Sequence, residues 1–334
     1  MALRLDGATR SDVRKALWDD RTLIRTHGPR GTVHLLATED LPSWIGALGA
    51  VPTVGGQSPP LRLSDDDVDA IVAAVADAVA YEDLTLEELD AEVVARCGDW
   101  AGERVLPAFQ TLWPRWRQAL SRASHQGAVC FGAPRGRTVT YASPRRWLPH
   151  LVPEPADRAV AWLLQSYLHT YGPATPSHFA RWLSTSTGWA TRVFEVQGEA
   201  IEPVDCADWT GWVNASDREI QESSTPGGLM LLPYFDAYVV GSHPRELVYP
   251  GRAAERALAR TQAGNYPVLL VDGIVAGVWH AAHRGSRLAV TVETLQPLSR
   301  RHRSSIDDVV GRLGFVLEAT ATLTFGPVNV GPHA

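Results

Sequence analysis

Two short segments of the chain carry the same turn between two stretches typical of β-strands. In each, the tripeptide Pro-Arg-Gly stands shortly before a strand that contains β-branched residues. Proline and glycine favour tight turns, so each segment predicts a β-hairpin, and the recurrence predicts a repeated structural unit. Chance recurrence of a three-residue turn is the alternative. The predicted strands are Leu23–Arg25 with Thr32–Leu36, and Ala128–Gly132 with Thr138–Ala142.

Helical patterns precede these hairpins. Ser11–Asp20 predicts a helix with Ser11 as N-cap, too short to form a folded unit with one hairpin alone. Before the second hairpin, Ser64 begins an acidic amphipathic helix to Ala80, and Thr85 with Glu88 forms a capping box for a helix to Arg96. A third helix is predicted over Val105–Ser124. Three helices and a hairpin in this order are typical of a winged helix, which binds DNA in the major groove.

A third unit repeats the pattern. Its predicted helices are Ala156–Tyr171, a helix capped by Thr175 with Pro176 at its first turn, and Gly188–Val196, followed by two strands. Farther on, apolar strands separated by turns, a helix from Ser304 to Leu313 and a final strand Ala319–Phe325 predict an antiparallel module. The fold class is therefore α+β, with tandem winged-helix units and a small β-rich C-terminal module. The predicted domains are 1–55, 64–150, 155–215 and 229–326.

Charge is distributed unevenly along the chain. The formal net charge is −6, but Ser64–Glu103 alone holds 13 acidic residues and one arginine, so the remainder carries +6. Arg104–Pro153 contains no acidic residue. Arginine suits bidentate contacts with phosphate and guanine, so we expect a surface for double-stranded DNA. A solvated surface arginine and, near Arg115 and Arg117, a purely structural tryptophan core are the alternatives. The candidate DNA-binding residues are Arg25, Arg30, Thr32, His34, Arg115, Arg117, Arg135, Arg137, Arg145 and Arg146.

Blocks of the chain, in order from about residue 11 to 325, resemble a family of bacterial winged-helix DNA-binding proteins that includes the AlkZ-type and YcaQ-type DNA glycosylases. The resemblance implies three tandem winged-helix motifs and excision of bulky alkylated purines, including the unhooking of crosslinks. The blocks are Leu23–Thr26, Arg30–Leu35, Glu39–Leu41, Cys130–Gly132, Tyr167–Thr175 with Phe179 and Trp182, Leu231–Gly241, and Val271–Gly273 with Gly277–Trp279.

In that family a Gln-x-Gln or Gln-x-Asp motif, upstream of the block around Arg30–Leu35, places the catalytic water. No such triplet precedes Ser11 in this chain. We therefore expect either that the start lies farther upstream or that the chain is a shortened, inactive relative. Two further departures from the family are His27-Gly28, in place of bulkier apolar residues, and Ala237, where an acid is frequent.

Two residues remain as weak catalytic candidates. His34 alternates with apolar residues on a predicted strand, where a structural, hydrogen-bonded histidine is the alternative to a site facing DNA. Asp236 lies in an apolar stretch, and a buried carboxylate needs a partner, which could be Arg245. Asp236 could hold the fold together or orient a water molecule.

Other classes of chemistry lack support in the sequence. The three cysteines are scattered, which argues against disulfides and against a metal site. No phosphate-binding glycine motif occurs, so we expect no nucleotide and no other cofactor. No apolar run of membrane-spanning length and no signal peptide occurs, which predicts a cytoplasmic protein, and no dimerisation helix is evident, which predicts a monomer. The hypotheses are a DNA glycosylase, a non-catalytic DNA-binding or transcription-regulatory protein, and a protein-interaction scaffold.

Overall fold

The computed structural model describes residues 4–53, 58, 61–108, 111–206, 208–217, 227–259 and 262–331. The chain divides into two compact units, a smaller one made of Met1–Val13 and Ser216–Ala334 and a larger one of Arg14–Ala215. The ends of the predicted domain 1–55, at residues 1–3 and 54–55, lie outside the described residues. The larger unit combines helices with small antiparallel sheets, and the smaller unit combines helices with one five-stranded sheet, so the predicted α+β class is confirmed.

The larger unit begins with the first predicted hairpin. Helix α1 (Arg10–Trp18) starts after Thr9, whose hydroxyl oxygen accepts from the backbone N–H of Asp12 at 3.3 Å, so Thr9 takes the capping role predicted for Ser11. Strands β1 (Leu23–His27) and β2 (Val33–Ala37) pair antiparallel, as predicted. Helix α2 (Leu41–Ala50) follows and was not predicted.

Within the larger compact unit, the second predicted winged-helix unit contains helices α3 (Asp65–Ala78), α4 (Leu86–Cys97) and α5 (Asp99–Gly102). The capping box predicted at Thr85 is present, and Ser64, predicted only as a helix start, forms a second one, because each side-chain oxygen accepts from the backbone N–H three residues later. These helices pack on the fully buried Trp116, whose indole N–H donates to Asp90 Oδ1 at 2.6 Å.

The predicted helix over Val105–Ser124 is wrong. This segment forms strands β4 (Arg104–Pro107) and β5 (Leu112–Pro114), a 3₁₀ turn over Arg115–Ala119 and a short helix α6 (Leu120–His125). Proline removes a backbone donor and clashes with the preceding helical turn, so prolines at 107 and 114 exclude a continuous helix. The arginines and tryptophans of this segment therefore do not form a recognition helix.

The second hairpin consists of β6 (Cys130–Arg135) and β7 (Thr138–Ala142), to which a short strand β3 (Leu84–Thr85) adds a third member. The second prediction of a hairpin around a Pro-Arg-Gly turn is thus confirmed. Helices α3 to α6 precede it in this predicted unit, and the one-turn α5 is the addition to the three predicted; the helical segment before the hairpin, α6, is shorter than predicted.

The third unit forms as predicted. Its elements are helices α7 (Ala156–Tyr171), α8 (Pro176–Leu183) and α9 (Thr187–Glu195), and strands β8 (Ile201–Cys206) and β9 (Trp209–Asn214). Thr175 caps α8 by accepting from the N–H of His178. Aromatic rings fill the core, with Tyr167 lying 5.1 Å from Phe179 and 5.0 Å from Trp182 between ring centroids.

Helix α2 packs closely on α7. A Cβ atom at Gly46 would lie 2.3 Å from the carbonyl oxygen of Glu154 and 2.9 Å from Cβ of Ala159. Only glycine permits this approach of the two segments, and α2 thereby joins the apolar core of the third unit through Ala47 and Leu48.

The smaller unit is built on a five-stranded sheet in the order β10-β11-β12-β13-β14. Helix α13 packs Ile306, Val310 and Leu313 against this sheet. The last strand pairs parallel to β13, so the prediction of a wholly antiparallel module is wrong at this pair: α13 crosses the sheet and returns the chain in the same direction. The strands are β10 (Leu229–Leu232), β11 (Val268–Val271), β12 (Ile274–Arg284), β13 (Arg287–Thr294) and β14 (Thr320–Phe325), and the helices are α10 (Ala237–Gly241), α11 (Arg245–Val248), α12 (Arg252–Ala257) and α13 (Arg300–Val316).

Candidate nucleic-acid interface

The β1–β2 hairpin presents one partly exposed face. Its register pairs Arg25 with Leu35 and His27 with Val33, and cross-strand partners lie on the same face of a two-stranded sheet. Val33 is 47% exposed and Leu35 is 38% exposed. The opposite face packs Ile24 and Leu36 into a core with elements of the second unit. The exposed face can therefore meet a ligand while the hairpin stays anchored.

The turn of this hairpin differs from a flexible tip. Arg30 has a positive φ of 63°, and its guanidinium donates to the backbone carbonyl of Trp182. Burial lowers the pKa of this arginine below its ordinary value. The next residue, Gly31, lies against Ser121, where an added Cβ would be 3.2 Å from the serine Cβ. Arg30 is therefore not the flexible cation expected at a hairpin tip, because its side chain is anchored on the third unit, and its contact with phosphate stays a prediction.

Two other arginines lie flat against aromatic rings. The guanidinium carbon of Arg25 is 4.6 Å from the ring centroid of Phe131, and that of Arg117 is 3.8 Å from the ring centroid of Trp113. His27 lies 5.2 Å from the same Phe131 ring. We call Arg25, His27, Trp113, Arg117 and Phe131 the stacked-arginine cluster. Stacking holds a guanidinium in one orientation while its N–H groups stay available at the ring edge.

His27 is neutral at pH 7. Burial lowers its pKa from 6.5 to about 4, and the nearby charges of His125 and Arg117 act in the same direction. Its Nδ1 lies 2.8 Å from the hydroxyl of Ser124, and that hydroxyl donates to the carbonyl of Leu120. A hydroxyl has one proton to donate, so the imidazole must donate through Nδ1–H and keep its lone pair on Nε2.

Two more histidines surround the same turn. His125 Nε2 donates to the carbonyl of Gly28 at 3.1 Å, and His34 Nδ1 donates to the carbonyl of Thr32 at 2.8 Å. Burial lowers the pKa of both imidazoles. The hydroxyl of Thr32 donates to the carbonyl of Pro29. His34 and Thr32, both candidate DNA-binding residues, thus hold the turn together.

Among the described residues, four of the eight arginines in the acid-free stretch are ion-paired with the acidic segment that precedes it. Each contact joins a guanidinium to a carboxylate between residues 83 and 103. The pairs are Arg104–Asp90 at 2.8 Å, Arg115–Glu103 at 2.6 Å, Arg135–Glu88 at 2.7 Å, and Arg146–Asp83. The charges of Arg115, Arg135 and Arg146 are therefore partly neutralised within the chain, and their contact with DNA stays a prediction.

The remaining two candidates differ from each other. Arg145 donates to the carbonyl of Leu151 at 3.0 Å. Arg137 is exposed near the tip of the second hairpin, and it makes no hydrogen bond or ion pair with any residue that the structure describes. Of the ten candidate residues, the structure thus brings Arg25 and Arg117 together and leaves Arg137 solvated.

Asp236 belongs to the smaller unit and has a structural role there. Its carboxylate oxygens accept from Arg4 at 2.8 and 2.5 Å, and one of them accepts from the backbone N–H of Tyr238, which caps α10. Arg245, the partner that the sequence suggested, donates to the carbonyls of Val239 and Val240. The carboxylate is 4% exposed and saturated by these donors, which argues against a water-orienting role.

Sequence reasoning did not assign roles to His27, Ser124 and His125. His27 was visible only as a departure from the family pattern, and it contacts Ser124 across 97 positions of sequence. No local pattern links residues at such separation.

Among the described ranges, no three His, Cys, Asp or Glu side chains are arranged to hold a metal ion, and no helix is long and apolar enough to cross a membrane.

Comparisons with known proteins agree on one family. The family model described as DNA glycosylase AlkZ-like matches residues 1–315. A Streptomyces sahachiroi protein named interstrand DNA cross-link repair glycosylase is 29% identical over 301 residues, covering 84% of this chain and 76% of the relative. The solved structure of S. sahachiroi DNA glycosylase AlkZ superposes with a TM-score of 0.75 at 23% identity, covering 97% of this chain and 87% of that one, which supports the same fold. The chain therefore belongs to the AlkZ-like DNA glycosylase family.

Proposed function

We propose that this protein binds double-stranded DNA with the stacked-arginine cluster and hydrolyses the N-glycosidic bond of an alkylated purine there. The observation on which the proposal rests is the pair Arg25 and Arg117, each seated on an aromatic ring beside the exposed face of the β1–β2 hairpin. Their guanidiniums are oriented before DNA arrives, so little side-chain entropy is lost on contact with phosphates. The name of the S. sahachiroi relative supports a repair substrate.

The reaction requires no metal or redox cofactor. Alkylation at N7 gives the purine a positive charge, so the bond to the sugar breaks with its electron pair moving to the base, which leaves neutral. Water then adds to the cationic sugar carbon and must lose one proton. The neutral imidazole of His27, with Nδ1–H held by Ser124 and a lone pair on Nε2, is the proton acceptor of the cluster. A weak base suffices because the sugar is already strongly electrophilic.

DNA binding is tested by fluorescence anisotropy of a 21-base-pair duplex over a range of salt concentrations. Arg25→Met and Arg117→Met keep the aliphatic stem and remove the charge. Each lost phosphate contact should weaken binding and reduce the slope of log affinity against log salt by about 0.9. Arg135→Met is the matched control, because its guanidinium is already paired with Glu88, and it should leave the slope unchanged. If Arg25→Met and Arg117→Met gave the same slope of log affinity against log salt as Arg135→Met, the proposed surface would be contradicted.

Catalysis is tested with the same duplex carrying one N7-methylguanine. Abasic sites are detected as strand cleavage after alkali. His27→Asn keeps an N–H donor for Ser124 but lacks the basic Nε2, so it should bind this duplex normally and excise the base at least about tenfold more slowly, equivalent to about 1.4 kcal/mol in the barrier. Excision at the wild-type rate by this variant would remove His27 from the mechanism.

A non-catalytic DNA-binding or regulatory protein is the second candidate. The contacts of His27 with Ser124 and with the Phe131 ring are also typical of a structural histidine, which favours this candidate. Salt-dependent binding without any abasic-site formation would support this candidate over the glycosylase. In either case the partner is chromosomal DNA, and we propose that the protein acts on it as a monomer in the bacterial cytoplasm.

A further inference from the structure

A separate cavity of about 750 Å³ lies beside helix α3 in the larger unit. Its floor is apolar and made largely of small side chains, which are Val72, Ala73, Ala76, Ala80 and Ala128. This volume is within the range of about 300–1,000 Å³ typical of sites for small organic ligands. None of its lining residues belongs to the stacked-arginine cluster, so the DNA-binding proposal does not account for it.

Two neutral polar side chains open into this cavity without a partner. Ser143 is only 5% exposed, yet its hydroxyl makes no hydrogen bond with any described residue, and it lines the cavity. The amide of Gln126 also lines the cavity and has no such bond within the same ranges. Both groups border an open cavity, so each can exchange a water molecule for a polar atom of a ligand.

One positive charge is available at the same place. Arg145 lines the cavity and donates one N–H group to the carbonyl of Leu151. Its guanidinium has no carboxylate partner in the part of the chain that the structure describes. Its neighbour Arg146 is paired with Asp83. At the rim, the ring of Tyr81 is 92% exposed, an unusual state for a tyrosine beside an apolar wall.

We propose that this cavity is a binding site for a small aromatic carboxylic acid. The aromatic ring would lie on the alanine-lined floor of α3 and under Tyr81. The carboxylate would accept hydrogen bonds from the free N–H groups of Arg145 and from the hydroxyl of Ser143. Asp69 also lines the cavity and repels a second negative charge, so a monoanion fits better than a dianion.

The test is a calorimetric titration of the full chain with 2-naphthoate, a planar aromatic monoanion. Naphthalene-2-carboxamide is the neutral probe of the same shape. Wild-type protein should bind one naphthoate with a Kd below about 1 mM and bind the amide at least about tenfold more weakly. Absence of saturable naphthoate binding would overturn the proposal, and so would equal affinity for the amide.

Two variants locate the site. Ala73→Trp fills the cavity from an exposed helical position and should weaken naphthoate binding at least about tenfold, whereas Ala91→Trp, at an exposed position on α4 outside the cavity, should not. Arg145→Met should weaken naphthoate but not the amide, and Arg137→Met should change neither. Circular dichroism establishes that each variant is folded. Wild-type affinity in both Ala73→Trp and Arg145→Met would place naphthoate elsewhere and refute the assignment.

Discussion

Acid should destabilise the larger unit through His27, and replacing this histidine should remove much of that effect. Burial, and then the charges of His125 and Arg117, lower the pKa of His27 from 6.5 to about 4 in the folded protein. As pH falls from 6.5 towards 4, the unfolded chain takes up a proton that the folded chain does not. The free energy of unfolding therefore decreases through this window. The contribution of neutral His27 to that free energy is complete only above pH 6.5.

The size of the effect follows from the two pKa values. A lowering from 6.5 to about 4 corresponds to about 3 kcal/mol over the whole window, of which about 2 kcal/mol is already lost at pH 5. Burial lowers the pKa of His34 and His125 as well, which adds to the loss in the same direction. A small domain has only about 5–15 kcal/mol of stability, so the loss is readily measured.

The assay is guanidinium unfolding, followed by tryptophan fluorescence, at pH 7.5 and at pH 5. His27→Asn keeps the donor to Ser124 and cannot be protonated, so its loss between the two pH values should be about 2 kcal/mol smaller than that of the wild type. His150→Asn, at an exposed histidine outside the cluster, should lose as much as the wild type. An equal loss of unfolding free energy between pH 7.5 and pH 5 in the wild type and in His27→Asn would refute the reasoning.

Three further substitutions should lower stability, each by a different mechanism that chemical denaturation measures. Asp236→Ala removes both the cap of α10 and the partner of Arg4, and should cost about 2 kcal/mol; an unchanged midpoint would contradict the structural role of this carboxylate. Gly28→Ala would place a Cβ 2.7 Å from Nδ1 of His34, so about 1–3 kcal/mol of overpacking strain is expected, and wild-type stability would mean that the imidazole moves aside. Thr175→Ala removes the cap of α8 and should cost about 1 kcal/mol, an expectation that fails if Thr175→Ala and Thr175→Ser unfold alike.

Local chemistry explains which elements could be predicted from the sequence. Thr85 and Thr175 were identified as helix caps, and Ser64 as a helix start, because a cap and its partner lie within three residues. The two Pro-Arg-Gly hairpins were found for the same reason. Each of these signals is contained in a window of a few residues, so no knowledge of tertiary packing was needed.

The errors had two causes, a local helix breaker that was overlooked and a distant contact that a single sequence does not reveal. The spacing of tryptophans around Trp113 and Trp116 resembles a helix face, yet Pro114 stands between them and the segment folds into strands and a 3₁₀ turn. Helix α2 is almost wholly apolar and depends on Gly46 meeting Glu154 across the chain. Its existence is set by packing on α7, which a single sequence does not reveal.

For the candidate site, too, the sequence revealed local features but not contacts between distant residues. Counting charges identified the arginines but not their partners, because Arg135 and Glu88 are 47 positions apart and Arg146 and Asp83 are 63 positions apart. Arg25 and Arg117 were among the candidates predicted from the sequence, and only the folded chain shows the rings that hold them.

The pairing of acidic and basic segments also affects how fast the protein can find its target. A charge with its opposite a few ångströms away forms a dipole, whose field decays with distance much faster than that of an isolated ion. With a net charge of −6, the protein approaches a polyanion without long-range attraction, and mutual repulsion slows the approach at low ionic strength. Capture of DNA must then depend on collisions that bring the hairpin face within a Debye length of the duplex, at rates nearer about 10⁵–10⁶ than about 10⁹ M⁻¹s⁻¹.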